Sequence, residues 1–571
     1  MGKGRMGNWA DRGTRAVAAA RRYAAQTARQ AAQRTAPARQ WTTQVARRGV
    51  ERTAPARQWT TQVARRGVER TAPARASALR SARRAGRAYA YAPTRWVVGV
   101  AAGSGLVLAV ASIAATGPWQ GGQRTRDAAL AARGNAVAGT GHHAKPPEPK
   151  PAGPAWHNAA DVLAPAGAAG TLPTTSGLSG ALIGPMGATA LGRVTASVVD
   201  VGDGRVLYGV GADQDQQPAS TNKIATATAA LSLLGPDHRF TTKVVGDAAT
   251  GLTLVGGGDP TVTASTGPDS LSALAAATAT ALKTAAAAAT GTAAPTSGHR
   301  VALHYDLSLF SAPALHPIGL NDNIALVQAL TVDEGRRDPT STENAPRYSD
   351  PAAQAAIVFA ADLAAHGVNV DTSPSTGTAP AGAATVAQIQ SAPLSDIVER
   401  MLTNSDNDIA EALGHAVAIA AGRPATFTDG AAAVTAQLTR LGIHLGATHL
   451  ADSSGLSGAD EMPAAVLTQL LVLDSSAAHP ELRSVLSGLP IAGFTGTLDN
   501  RYGGTGSEAG LGVVRAKTGS LQTVNTLAGL VVDRSGRLLA FAFMSNGSGN
   551  QDAARAALDV LASRLAACGC D

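Results

Sequence analysis

Two kinds of hydrophobic pattern divide the chain. From Trp96 to Thr116 no residue is charged and most are apolar, and as a helix these 21 residues are long enough to cross the ~30 Å core of a bilayer. Beyond about residue 190 the apolar residues instead alternate or recur at helical spacing. The first pattern predicts a transmembrane helix, and the second predicts a globular α/β region.

The globular region opens with a predicted strand, turn, strand and helix. Residues 193–201 and 205–210 flank a Gly-Asp-Gly turn and predict a β-hairpin, and residues 218–235 predict a helix. Near the other end, residues 536–546 alternate as a strand and residues 552–567 have the spacing of a closing helix. We expect the two ends of the region to share one sheet.

The segments around the transmembrane run differ in composition. Residues 1–95 hold 22 Lys or Arg against 3 acidic residues, and the 18-residue segment 34–51 recurs unchanged at 52–69. Residues 117–175 are rich in Gly, Ala and Pro without a sustained period, which is typical of a linker. We therefore predict a basic cytoplasmic tail at 1–95, a transmembrane helix at 96–116 and a linker at 117–175.

The charge distribution predicts the orientation of the span. The net charge of +8 comes from residues 1–95, which carry +19, whereas the rest of the chain carries −11. Basic residues stay on the cytoplasmic side, so we expect a single-pass type II protein of the cell membrane with an extracytoplasmic globular region. A signal-peptidase site at Ala109-Val110-Ala111 is the alternative to an uncleaved anchor.

The basic tail has the charge to attract anionic lipid or nucleic acid. It contains few apolar residues to hold it in one place, so a solvated, disordered tail is favoured.

No metal or other cofactor is predicted, since His142 and His143 lack further ligands nearby. Cys568 and Cys570 lie too close together and too near the terminus to join distant elements, so we expect an inert, frayed end there.

A Ser-x-x-Lys motif begins the predicted helix at 218–235. Ser220 and Lys223 lie one helical turn apart on one face. A serine hydroxyl needs a base to take its proton, and a lysine amine serves if burial depresses its pKa, whereas arginine stays protonated. The motif alone is weak because it occurs by chance in many helices. Two companions follow in the order typical of serine acyltransferases: Ser405-Asp406-Asn407 and Lys517-Thr518-Gly519-Ser520.

These three motifs resemble those of the class C low-molecular-mass penicillin-binding proteins, which are D-alanyl-D-alanine carboxypeptidases and endopeptidases. The likeness covers residues 185–546 and includes three shorter segments, which are Gly256 to Thr261, Asp452 to Ser457 and Phe494 to Leu498. The resemblance implies an α/β (α+β) fold in which helices flank a penicillin-binding/serine β-lactamase-like antiparallel sheet.

The spacing of the motifs predicts the domain organisation. Ser220 and Ser405 lie 185 residues apart, which is less than in family members with two full inserted domains. We therefore expect a smaller α/β accessory domain at 265–390, inserted into a catalytic domain formed by residues 176–264 and 391–571.

The resemblance also implies a role for each motif residue. Ser220 would attack the carbonyl between two D-alanines of a peptidoglycan stem peptide, Lys223 would accept its proton, and the backbone N–H groups of Ser220 and Ser520 would form the oxyanion hole. Ser405 and Lys517 would relay a proton to the leaving group, and Asn407 would hold the peptide backbone. Thr518 and Ser520 would receive the substrate carboxylate, while Gly519 permits close approach. β-Lactam antibiotics would acylate the same serine covalently.

Alternative interpretations remain for the residues and for the whole chain. Asp406, Asp408 and Glu411 are interpreted as structural, with Glu411 and His415 forming an ordinary i, i+4 pair. A β-lactamase would share the chemistry, but the chain lacks a Glu-x-x-Leu-Asn segment to position a deacylating water. A non-catalytic cell-wall-binding relative would be expected to lose Ser220, Lys223 or Lys517, and all three are present.

Overall fold

The computed structural model describes residues 170–265, 267–288, 300–342 and 344–570, all within one compact unit, Trp156–Asp571. The predicted basic tail, the transmembrane helix at 96–116 and nearly all of the linker lie outside the described residues.

Twelve β-strands form within the described ranges. They are β1 Arg193–Asp200, β2 Val206–Val210, β3 Asp215–Gln216, β4 Thr241–Asp247, β5 Gly251–Val255, β6 Leu303–Asp306, β7 Ser375–Thr376, β8 Thr385–Gln390, β9 Met462–Pro463, β10 Arg515–Ser520, β11 Val524–Val532 and β12 Leu538–Asn546.

Ten α-helices accompany these strands in the same ranges. They are α1 Thr175–Met186, α2 Asn222–Leu234, α3 Leu271–Ala288, α4 Pro351–Ala365, α5 Leu394–Asn404, α6 Asn407–Ala420, α7 Phe427–Arg440, α8 Ala464–Asp474, α9 Arg483–Gly488 and α10 Gln551–Ala566.

The first sheet joins the two ends of the globular region, as predicted. Its order is β10-β11-β12-β1-β2 and all its pairings are antiparallel, with Arg193 opposite Asn546 where β1 meets β12. Alternation along β12 sends Phe541 and Phe543 to one face, where α1 and α10 pack. Ala540, Ala542 and Met544 face the opposite core, formed with α2, α5, α6, α7 and α8. The sheet is therefore covered by helices on both faces.

The second sheet has the order β7-β6-β5-β4-β8 and mixes parallel with antiparallel pairs. Helices α3 and α4 pack against it in a separate core. Strands β4 and β5 belong to this sheet, although the sequence assigned residues up to 264 to the catalytic domain. The division into domains stays a prediction, and the strand pairing favours an insertion that begins near residue 241.

Helix α3 is long and apolar enough to span a membrane by length and composition, and it is the one such helix in the part of the chain described here. Its buried residues recur at i, i+3, i+4, i+7 and i+8: Leu271, Leu274, Ala275, Thr278 and Ala279. The first three of them belong to the core of the second sheet. This pattern is that of an amphipathic surface helix in a globular domain.

The C-terminal end is docked, so the expectation of a frayed end is wrong. Cys568 and Cys570 form a disulfide, and Cys568 is buried in the core between α1 and α10. The backbone N–H of Thr174 donates to the carbonyl of Cys570 (2.8 Å). Gly177 makes room for this contact, because a Cβ there would overlap Cys570. The end is held because the buried sulfur completes an apolar core.

Candidate active site

The turn that presents Ser220 is strained and firmly held. Ser220 lies in a short 3-10 helix, Ala219–Thr221, directly before α2, and Ala219 has a φ of +48°. Such a left-handed backbone is uncommon for a residue other than glycine, and backbone strain of this kind concentrates at functional sites. The hydroxyls of Thr221 and Thr526 both donate to the carbonyl of Pro218, at 2.6 and 2.8 Å.

Lys223 is fully buried, and its Nζ donates to three acceptors. These are Ser220 Oγ (2.9 Å), Asn407 Oδ1 (2.7 Å) and the Ser454 carbonyl (2.7 Å). Burial lowers the pKa of Lys223 to about 8, against the opposing effect of nearby carboxylates. A lysine with this pKa has a neutral fraction of about a tenth at pH 7, enough to act as a base.

The second motif lies where α5 ends and α6 begins. Ser405 ends α5 in a left-handed conformation (φ +59°), and Asp406 caps α6 by accepting the N–H of Ile409 (3.0 Å). Asn407 is the first residue of α6, and its Nδ2 donates to the Asn323 carbonyl (3.0 Å) while its Oδ1 accepts Lys223. The resemblance implied that Asn407 holds the substrate backbone, but here both ends of its amide bind protein groups.

The acidic residues of this motif have structural partners, as interpreted from the sequence. Asp406 pairs with Arg336 (2.7 Å), and Asp408 pairs with Arg347 (2.7 Å) and accepts the Ala325 N–H (2.7 Å). Burial raises the pKa of Asp408 to about 6. Both arginines come from the segment between β6 and α4, so the insertion holds the second motif in place.

Glu411 has a different partner from the one predicted. His415 contacts the backbone carbonyl of Glu411 (2.8 Å), whereas the Glu411 carboxylate accepts the N–H groups of Ser453 and Ser454 (3.2 and 2.8 Å). The predicted i, i+4 pair is wrong because α6 is buried around Glu411, so that the carboxylate faces residues 452–457 instead. Burial raises the pKa of Glu411 well above its ordinary value.

The third motif lies on β10, the edge strand of the first sheet. Lys517 is fully buried and donates to the Thr518 carbonyl (2.9 Å), and burial together with the nearby Lys223 charge lowers its pKa well below the ordinary range. The hydroxyls of Thr518 and Thr497 are 2.8 Å apart. A Cβ on Gly519 would overlap Thr526 Oγ1 and crowd the Pro218 carbonyl, so glycine lets β10 pass close to the nucleophile turn.

The structure brings the three motifs together around one polar pocket. Five of the predicted site residues line it directly: Ser220, Ser405, Asn407, Thr518 and Ser520. Lys223 lies beneath Ser220, and Lys517 and Gly519 belong to the strand that forms one wall.

The sequence did not predict a role in the site for several residues that the structure places there. The Ser454 carbonyl and Thr497 belong to segments that the resemblance had singled out without a role. Asn323, from the insertion, and Arg555, from α10, also line the pocket. No motif marks either position, and Asn323 holds Asn407 through its backbone, which carries no sequence signature.

The chain is similar to known proteins over the region that contains the three motifs. The sequence profile of the D-Ala-D-Ala carboxypeptidase 3 (S13) family matches residues 186–346 and 328–565. The chain is 38% identical over 494 residues to carboxypeptidase DacB of Mycolicibacterium smegmatis, covering 84% of this chain and 99% of that protein. It is 29% identical over 461 residues to a D-alanyl-D-alanine carboxypeptidase of Actinomadura sp., covering 65% of this chain and 80% of that protein.

Solved structures show the same fold. Penicillin binding protein 4 from Haemophilus influenzae has a TM-score of 0.52 at 22% identity, over 69% of this chain and 98% of that one. A second structure of the same protein, in complex with a β-lactam, has a TM-score of 0.50. Since the family profile matches more than half of the chain and the matched region contains all three motifs, this protein belongs to the D-Ala-D-Ala carboxypeptidase 3 (S13) family.

Proposed function

We propose that this protein is a serine D-alanyl-D-alanine carboxypeptidase/endopeptidase that hydrolyses D-Ala-D-Xaa bonds of peptidoglycan stem peptides through an acyl-enzyme on Ser220. One observation carries the proposal: Lys223 Nζ lies 2.9 Å from Ser220 Oγ and 2.7 Å from Asn407 Oδ1, at the base of a pocket lined by all three motifs. Nucleophile and base are thus within hydrogen-bond reach, as activation of a serine requires.

In the proposed acylation step, neutral Lys223 takes the hydroxyl proton of Ser220. The Ser220 oxygen then attacks the carbonyl carbon of the penultimate D-alanine, and the oxyanion is stabilised by the backbone N–H groups of Ser220 and Ser520. Each such donor typically contributes about 10²- to 10³-fold in rate. Asn407, through its contact with Lys223, keeps the amine directed at the hydroxyl.

Collapse of the tetrahedral intermediate breaks the D-Ala-D-Xaa amide bond. Ser405 and Lys517 relay the proton from Lys223 to the departing nitrogen, and the acyl group stays on Ser220. Thr518 and Ser520 receive the terminal carboxylate of the substrate. A water then hydrolyses the ester, and a β-lactam would block this step because its opened ring stays attached.

The position of β10 supports substrate binding by strand addition. It is the edge of its sheet, and its other side pairs with β11. The start of its outer edge is already paired, because the Ala516 N–H donates to the Pro490 carbonyl (2.9 Å) and Arg515 pairs with Ile491. An extended peptide can therefore add along the later part of this edge, at Thr518 to Ser520 beside Ser220.

Reaction with a fluorescent penicillin followed by peptide mass mapping tests the proposal. We expect stoichiometric label on the peptide that contains Ser220, and none in the folded Ser220→Ala variant. Ser484→Ala, outside the pocket, should label like the wild type. Absence of label on Ser220 in folded wild-type protein would contradict the proposal.

We also propose that the enzyme is a single-pass type II membrane protein with its catalytic region outside the cytoplasm. The support is the 21-residue uncharged run at 96–116, preceded by the basic residues of the tail. Protease treatment of intact cells should remove the catalytic region and spare the 18-residue repeats. Loss of the repeats with retention of the catalytic region would overturn the orientation.

A further inference from the structure

A buried turn behind Lys223 is not used by the chemistry proposed above. The turn comprises residues 452–457, and three of its successive carbonyls accept hydrogen bonds from α2. Asp452 O accepts Asn222 Nδ2 (3.2 Å), Ser453 O accepts Thr226 Oγ1 (2.6 Å) and Ser454 O accepts Lys223 Nζ (2.7 Å). The position of the turn therefore determines where the Ser454 carbonyl lies, and this carbonyl is one of the three acceptors that hold the Lys223 amine.

The side chain of Asp452 organises this turn. Its Oδ1 accepts the N–H groups of Ser454 (3.0 Å) and Gly455 (2.6 Å), and its Oδ2 accepts the N–H of Ser457 (2.6 Å). His316 Nε2 lies 3.2 Å from the same Oδ2. Burial alone would raise the pKa of Asp452, but the hydrogen bonds from His316 and the amides outweigh it, so that the pKa lies below its ordinary value.

His316 reaches this position from the insertion, between β6 and α4. Its ring is buried and packs edge-on against Phe427, with centroids 4.9 Å apart. The N–H of Ile318 donates to Nδ1 (3.3 Å), so the ring proton is on Nε2 and is donated to Asp452. The Nε2–H of His316 thus completes the set of donors around the carboxylate.

His316, Glu411 and Asp452 have side-chain types that bind metals, and their ligand atoms lie within 4.8 Å of one another. Their hydrogen bonds argue against a cation there. Both oxygens of Asp452 accept backbone N–H groups, and so does the carboxylate of Glu411. The hydrogens point at the lone pairs that an ion would need, so the cluster is built to hold the turn.

We infer that His316 is a positioning residue for the catalytic base, because its Nε2–H holds the Asp452 carboxylate and through it the turn whose Ser454 carbonyl directs Lys223. This inference rests on the proposed function, in which Lys223 must be neutral to accept the proton of Ser220. It assigns the insertion a direct part in preparing the base.

The charged groups around Lys223 indicate how loss of His316 would act. Asp452, Glu411, Asp406 and Asp460 each favour protonated Lys223, and Lys517 lies nearby with a pKa lowered by burial and by Lys223. Burial raises the pKa of Glu411 well above its ordinary value and that of Asp460 to about 8, so burial favours the neutral form of both carboxyls. Asp406 is paired with Arg336.

Of these four carboxylates, Asp452 has the largest effect on the pKa of Lys223. Without His316, three backbone N–H groups still keep Asp452 ionised. The carboxylate has, however, lost the Nε2–H donor that partly offsets its charge, so it stabilises protonated Lys223 more strongly. The pKa of Lys223 then rises, and its neutral fraction at pH 7 falls.

Acylation by a fluorescent penicillin, measured from pH 5.5 to 10, tests the inference. For His316→Leu we expect a rate about tenfold below wild type at pH 7 that recovers towards pH 10, which corresponds to a rise of about one unit in the pKa of Lys223. His316→Gln, whose amide can donate from the Nε2 position, should restore the wild-type pH profile. The asparagine side chain of His316→Asn is too short to reach Asp452, so this variant should resemble His316→Leu. It replaces the leucine variant in the test if that variant does not fold.

His415→Leu is the matched control. His415 is also buried and also packs edge-on against Phe427 (5.0 Å), but it does not contact Asp452. We expect this variant to lose stability while keeping the wild-type pH profile. An unshifted profile in both His316→Leu and His316→Asn, or an equal shift in His415→Leu, would overturn the inference. Failure of wild-type protein to label Ser220 would instead refute the proposed function.

Discussion

Lys223 combines two properties that determine its chemistry. It is completely buried, which disfavours the ammonium, and it is surrounded by three acceptors that hold its nitrogen beside Ser220. Lys517 is buried too but donates to the carbonyl of its neighbour Thr518, so the two lysines have different surroundings.

The pH dependence of acylation should report the Lys223 amine. Burial favours the neutral form, so the pKa falls from 10.5 to about 8, and the rate should rise with pH and level off above about 8. Below that value we expect about a tenfold loss per pH unit. Stopped-flow measurement of penicillin acylation checks this. If the acylation rate instead rose with a midpoint near pH 10, Lys223 would not be the base. The variant Lys223→Arg should show no acylation, because arginine stays protonated.

Gly455 lies where the turn at 452–457 touches the nucleophile turn. Its φ is +82°, and a Cβ would overlap the carbonyl oxygen of Ala219. Gly455→Ala should therefore lower acylation at least tenfold and destabilise the protein by more than the ~1–2 kcal/mol cost of a left-handed alanine. Gly536→Ala is the matched control, since Gly536 has a φ of +84° with open space around it.

Thermal unfolding and penicillin labelling distinguish the two glycine variants. The free energy of unfolding of Gly536→Ala should fall only by the conformational cost of a left-handed alanine. This variant should react with penicillin at the wild-type rate. Equal behaviour of the two variants would show that contact with Ala219 does not matter.

At the scale of the secondary-structure elements, contacts from the insertion hold the start of α6. The insertion contributes Arg336 to Asp406 and Arg347 to Asp408, and the Asn323 carbonyl accepts Asn407. These contacts come from one segment between β6 and α4, so the accessory part of the chain holds the element that carries the second motif.

Removing one of these arginines should be costly. Arg347→Met leaves Asp408 buried without its cation, and we expect a loss of about 3–5 kcal/mol in the free energy of unfolding. Arg423→Met is the control, because the Arg423–Asp429 pair is partly exposed with 3.9 Å between its atoms and should contribute under about 1 kcal/mol. Denaturant unfolding checks both. Similar losses in the two variants would contradict a specific role for Arg347.

At the scale of the whole molecule, the described residues line the pocket and form four hydrophobic clusters, three of them large. The first sheet is closed by strands from both ends of the region, and α1 packs with α10 and the C-terminal Cys568. The pocket and these clusters lie between residues 170 and 570.

A variant that begins at residue 170 should therefore fold and react. We expect its acylation rate to stay within about twofold of that of the full-length protein in detergent, since an unchanged site gives an unchanged barrier. Rate measurements on both proteins, with circular dichroism to verify folding, check this. A folded but unreactive variant would show that the removed residues act on the site.

The sequence by itself determined the parts that depend on local spacing. Ser220 and Lys223 are one helical turn apart wherever a helix forms, β12 alternates between two faces, and the order of the three motifs does not depend on packing. The composition of residues 1–175 likewise led to the predictions of a tail, a span and a linker, which stay predictions.

Only the tertiary structure decided which groups meet. The carbonyl that holds Lys223 comes from Ser454, 231 residues away, and the support for Asp452 comes from His316 in the insertion. Tertiary contacts also decided three further outcomes. Strands β4 and β5 pair in the second sheet, and the Glu411 carboxylate binds the turn at 452–457 instead of His415. The C-terminus is docked. Local patterns cannot specify such contacts, because they arise from packing between segments that are far apart along the chain.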